Sequence, residues 1–222
     1  MNRVAENIQI PAQQESDDGR SVVVSPERRF TERQFVEWVN QYPKLRVEWV
    51  DGKAEVLSPD DLDHDTIQLW LLTLLNFYIQ KNDLGELHGP NFWVRLPRQR
   101  RRRVPDIFFV SKARLSIVKQ TVVEGAPDLV VEVVSPESQS RDRRKKYVEY
   151  EKAGVREYWI IDPLSRTVEW YSLKGKKYVL IEPKEGVLQS RVFAGLYLKP
   201  AWLWRRPLPN VIGVLRELGL IK

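Results

Sequence analysis

The chain has 222 residues, 42% of them hydrophobic and 30% charged, the balance of one ordinary folded domain and not of a fibrous or wholly disordered chain. It contains no cysteine and two histidines, His64 and His88, which excludes disulfides, thiolate metal sites, thiol nucleophiles and a histidine-rich metal cage, and fits a cytoplasmic setting. Lys and Arg number 36 against 30 Asp and Glu, a net charge of +6 that is too small by itself to establish a polyanionic partner.

The first 25 residues are polar and without periodicity, and are expected to form a mobile tail carrying no secretory signal; a single domain over residues 26–222 is expected to follow. Thr31 with Gln34 three residues later fits a capping box, so a short helix is expected to end before Pro43. Residues 47–50 and 53–57 flank Asp51-Gly52, the dipeptide that best tolerates the positive φ angles of a tight hairpin turn. From Asp65 to Lys81, apolar residues at Ile67, Trp70, Leu71, Leu74, Leu75 and Tyr78 have the spacing of a helix with one broad buried face. The apolar stretch Leu69 to Ile79, broken by Thr73 and Asn76, is too short for a membrane span, so no membrane partner is expected.

Strands are expected over Glu86–Leu96 and Val104–Val110, with the arginine-rich run Arg98–Arg103 in the turn between them. Asp128–Val134 is apolar except for Glu132, as in a strand buried on both faces. A helix from Ser140 to Ala153, stopped by Gly154, leads into a strand over Glu157–Ile161. That crossover predicts two parallel neighbours and hence a mixed α/β sheet. A hairpin about Lys174-Gly175 and an aromatic C-terminal segment, Leu196–Trp204, complete the chain.

Glu132 draws attention because an ionised carboxylate in an apolar strand needs a cation or several donors beside it. Asp106, following Pro105 near a neighbouring strand's start, can bring a second carboxylate to the same place. Two carboxylates with the backbone carbonyl of Val133 form an oxygen-donor set suited to Mg2+, or to Mn2+, leaving positions open for water and a phosphate oxygen. Such a centre can hydrolyse phosphodiesters. The bland readings remain open: a turn-forming Asp106, and a structural ion pair of Glu132 with an arginine.

Pro105-Asp106 with Glu132, Val133 and Val134 resemble the PD-(D/E)XK phosphodiesterase superfamily. Residues 127–136, then Asp142, Lys146, Tyr150, Gly154-Val155 and residues 157–163, are similar to one bacterial restriction-endonuclease-like branch of it. Glu48 to Gly52, Ser58-Pro59 and His64 also match. The resemblance implies an α/β fold, a restriction-endonuclease-like mixed sheet flanked by helices with an N-terminal helix-hairpin extension. It also implies a metal-dependent nuclease acting on nucleic acid, with DNA preferred. The superfamily's lysine normally stands two residues after the glutamate, where this chain has Val134. The branch has a lysine at the position of Lys146, four residues from both Asp142 and Tyr150 and so on one helix face with them.

The expected catalytic residues are therefore Asp106, Glu132 and Lys146, with Glu48, His64 and Tyr150 as secondary candidates. Arg100, Arg101, Arg102 and Arg103, with Arg141, Arg143, Arg144 and Lys145, flank the acids and are expected to track nucleic-acid phosphates. Paired cuts in a duplex need two active sites, which makes a homodimer one option. The competing readings are a non-catalytic nucleic-acid-binding module of the same fold, and a protein-interaction domain whose acidic pair is structural.

Overall fold

The structure, a computed structural model, describes residues 29–42, 46–57, 59–135 and 142–222, the side chains of Asp142 and Arg143 excepted. The chain falls into two compact units, Met1–Ser58 and Pro59–Lys222.

In the first unit, helix α1 (Glu32–Val39) opens on the capping box: the Gln34 amide donates to the Thr31 hydroxyl at 3.3 Å and the Thr31 amide to the Gln34 side chain at 2.9 Å. Strands β1 (Val47–Val50) and β2 (Lys53–Val56) pair antiparallel. Their turn places Asp51 at φ 49° and Gly52 at φ 86°, the geometry that made this dipeptide a hairpin signal. The Trp38 ring stacks on Phe30 at 5.5 Å, and the Trp49 indole donates to the Phe30 carbonyl.

The second unit begins with α2 (Leu62–Lys81), one turn earlier than the apolar spacing predicts, because Asp61 caps it through the amide of His64. Strands β3 (Gly85–His88), β4 (Trp93–Leu96), β5 (Arg101–Arg103), β6 (Ile107–Ser111), β7 (Val122–Glu124) and β8 (Leu129–Val133) follow. Then come α3 (Asp142–Ala153), β9 (Glu157–Asp162), β10 (Thr167–Lys174), β11 (Lys177–Leu180), β12 (Leu188–Gln189), β13 (Tyr197–Leu198), α4 (Pro200–Leu203) and α5 (Val211–Glu217). The central sheet has the order β11-β10-β9-β8-β6-β3, with β8 parallel to β9 and antiparallel to β6. The crossover expected from sequence is present, and the fold is a mixed α/β sheet flanked by helices.

Two expectations are corrected here. The strand expected over Glu86–Leu96 is two, β3 in the central sheet and β4 outside it. The arginine run is not a turn: the chain turns over residues 97–100, and Arg101–Arg103 form β5, paired antiparallel with β4, which also runs parallel to β7. Alternate side chains of an arginine-rich strand can still face inward, and a composition rule for turns does not see that.

The central sheet is covered on both sides. On the α2 side, Ile67, Leu71 and Leu74 pack with Phe109, Val131, Trp159 and Phe193. On the α3 side, Phe108, Val110, Val130 and Tyr158 pack with Tyr150, Val94 and Val123. Strand β8 is thus buried on both faces along its length, each fully buried valine or leucine contributing about 1.5–3 kcal/mol.

Candidate active site

Side chains alternate along β6 and β8, so parity sorts them between the two cores. Phe108, Val110 and Val130 face the α3 side, and Asp106 and Glu132 share their parity. The β6–β8 register pairs Ile107 with Val131 and Phe108 with Val130. Continued by one residue, it sets Asp106 opposite Glu132, on one face. Directly opposed antiparallel residues have Cα atoms about 4.5–5.5 Å apart. The strand end therefore presents two acids side by side, and both are buried, Asp106 at 6% and Glu132 at 7% exposure.

Each acid is held by a different helix. From α2, His64 Nε2 lies 3.1 Å from Asp106 Oδ2 and Gln68, one turn on, donates to the Asp106 carbonyl at 3.1 Å. The Val133 amide donates to the same Asp106 Oδ2 at 2.7 Å. From α3, Lys146 Nζ donates to Glu132 Oε2 at 3.0 Å and the Tyr150 hydroxyl to Glu132 Oε1 at 2.9 Å. Lys146 and Tyr150 stand four residues apart and reach the same carboxylate, as neighbours on one helical face do. Val134, in the position where the superfamily's lysine normally stands, is buried in the apolar core.

His64 is buried, with Nδ1 3.6 Å from Asp60 Oδ1 and without a hydrogen-bond partner. Burial works against its charged form, but the hydrogen bond and charge of Asp106, with the charges of Asp60 and Glu132, outweigh it and raise its pKa above the ordinary histidine value. Three carboxylates thus act on one imidazole. Ligand atoms of Asp60, His64 and Asp106 lie within 4.8 Å of one another. The buried carboxylate oxygens of Asp106 and Glu132 are hard donors of the kind a divalent cation takes.

Glu48 belongs to the first unit, buried on β1 with Glu55 as its register partner. Arg101 and Arg103 do not face solvent as phosphate-tracking side chains would: both bind Glu149 of α3, and Arg103 is fully buried. Guanidinium groups committed to a carboxylate in the interior do not track phosphates, and these two assignments are withdrawn. Arg102 lies over the Trp93 ring at 5.6 Å; Arg100, Arg144 and Lys145 are exposed. Arg141 and the side chain of Arg143 lie outside the described residues. Gln68, Asp60 and Glu149 were missed in the sequence. Gln68 had a signal, its four-residue spacing from His64, whereas Glu149 gave none without the knowledge that β5 is a strand.

A mixed sheet whose two central antiparallel strands end in facing acids, each clamped by a helix, is the restriction-endonuclease-like fold. The family model described as "Uma2: Putative restriction endonuclease" matches residues 14–201, and the chain belongs to that family. Among solved structures, the chain is similar to one from Anabaena variabilis described as a putative nuclease belonging to DUF820. That likeness has a TM-score of 0.65 and 20% identity, and covers 78% of this chain and 96% of the other. No functionally curated protein matches the chain.

Proposed function

We propose that this protein is a metal-dependent nuclease that hydrolyses phosphodiester bonds, with DNA as its substrate, and that Asp106, Glu132 and Lys146 carry the reaction. The observation that supports it best is the convergence of two opposed, buried carboxylates and a lysine at one sheet end. Membership of a family described as restriction endonucleases points the same way.

Asp106, Glu132 and the carbonyl of Val133 would hold Mg2+ or Mn2+, which when bound supplies Lewis acidity and lowers the pKa of a water. The chain's own part is preorganisation. His64 and the Val133 amide fix the Asp106 carboxylate and Gln68 holds its backbone carbonyl, while Tyr150 fixes Glu132. Lys146, its side chain 12% exposed and its ammonium on Glu132, would orient a scissile phosphate and offset charge developing on it. Exposed Arg100, Arg144 and Lys145 supply long-range attraction for a polyanion.

The test is conversion of supercoiled plasmid to nicked and linear forms with Mg2+, with Mn2+ or with chelator. Wild type is expected to cut only with metal, and Asp106→Ala, Glu132→Ala and Lys146→Ala to be slower by about 10²–10³. Equal nicking by all four proteins removes the enzymatic claim. Salt-dependent binding without cutting by wild type would leave a non-catalytic nucleic-acid-binding module.

A further inference from the structure

We infer that the buried cluster of Arg101, Arg103 and Glu149 is a clasp that positions Lys146 and Tyr150 against the acidic pair, making these three residues positioning residues of the reaction proposed above, on whose reading the inference rests. Glu149 stands three residues after Lys146 and one before Tyr150. Its Oε1 accepts from Arg101 Nε at 2.7 Å and Arg103 Nη2 at 3.0 Å, and its Oε2 from Arg103 Nε at 2.9 Å. Side-chain exposure is 0% for Arg103, 8% for Glu149 and 13% for Arg101.

The composition of α3 makes this clasp necessary. A helix is normally seated by an apolar stripe, yet the twelve residues DRRKKYVEYEKA offer little of one: Val148 is exposed, and Tyr150 is the apolar side chain most deeply buried. Directed polar contacts add to the packing of Tyr147, Tyr150 and Ala153 in seating the helix. Lys146 and Tyr150 bind Glu132, Glu149 binds the two arginines, and Glu151 accepts from the Tyr178 amide and Lys177. Rotating or sliding α3 by even one residue would break all of them together.

The clasp reaches the other half of the site as well. Arg103 is followed by Val104, Pro105 and Asp106, a three-residue lead that spans at most about 10 Å and is stiffened by the fixed φ of proline. The same guanidinium therefore anchors the approach to Asp106 and the helix that delivers Lys146. A buried ion pair is weak evidence of stability, since well-packed apolar residues often do as well. The planar two-pronged arginine fork instead fixes direction, which is what a site divided between a strand and a nearly polar helix requires.

The experiment measures the rate at which an amine-reactive reagent modifies Lys146 in the folded full chain, read by peptide mass spectrometry, beside plasmid cleavage. Glu149→Gln is expected to raise Lys146 labelling about tenfold by freeing α3 to open locally, and to lower kcat about tenfold with KM retained. Lys177→Ala, which removes only an exposed ion pair to Glu151 and leaves the Tyr178 amide bonded to the same carboxylate, is expected to change neither. Should Glu149→Gln fail to fold, Arg101→Lys, which keeps the charge but not the fork at the more accessible end, is expected to give the same pair of changes. Wild-type labelling rates in the folded variant overturn the clasp. If wild type cuts no plasmid under any metal condition, the nuclease reading fails while the labelling still decides the clasp.

Discussion

Glu132 shows how much a single misfit residue can carry. Its place in an apolar strand required a compensating partner, and the structure supplies Lys146 and the Tyr150 hydroxyl. Tyr150→Phe removes one donor to a buried carboxylate and is expected to cost about 1–3 kcal/mol, read from denaturant midpoints, with the fold retained. His64 adds a pH dependence. Its proton is bound more tightly in the folded chain than at the ordinary value of 6.5, so its contribution to stability is complete below that value and is lost as pH rises through the folded pKa. In chelator, His64→Asn is therefore expected to flatten the stability curve of wild type between about pH 6 and pH 8; superimposable slopes would contradict this. At this scale the sequence was informative where a residue broke its local pattern, as Glu132 did. It was silent for Glu149, an unremarkable acid on a charged helix.

Among the elements, those with strong local signals are found with small shifts at their ends. The hairpin about Asp51-Gly52, the long helix α2 and the β8-α3-β9 crossover all combine periodicity with turn or cap chemistry. Strands β5 and β7, three residues each, are too short for a pattern to emerge, and β5 is hidden inside a run of arginines that reads as a solvated loop. Its pairing with β4 and its ion pairs to α3 are tertiary facts. The β3–β6 pairing depends on Gly85, at φ 145°, where an added Cβ would meet the Val110 carbonyl oxygen at 2.2 Å and the Lys112 amide at 2.7 Å. Backbone atoms cannot swing aside as a flexible side chain can. Gly85→Ala is therefore expected to destabilise by about 2 kcal/mol or more, measured as a lowered Tm.

Across the whole molecule, two of the buried acid centres among the described residues contrast in their surroundings. Glu157 accepts from the indoles of Trp159 and Trp170, both at 2.7 Å, from the Ser190 hydroxyl, and from the amides of Arg191 and Val192. It is saturated by donors and fastens residues 190–192 to β9 and β10. Glu157→Ala leaves buried donors without a partner and is expected to cost about 3 kcal/mol or more, read from a urea unfolding midpoint. At the other end of the central sheet, Asp60, Asp106 and Glu132 act on His64 with their negative charge, the centre proposed above to hold a cation. Among the described residues no helix is long and apolar enough to cross a membrane. The shared role of Asp106 and Glu132 is tested most directly by calorimetric titration of Mn2+ into wild type, Asp106→Asn, Glu132→Gln and Asp60→Asn. Binding of an ion to wild type, abolished by either of the first two substitutions and kept by the third, is the predicted result. Undiminished Mn2+ affinity in Asp106→Asn or Glu132→Gln would contradict it.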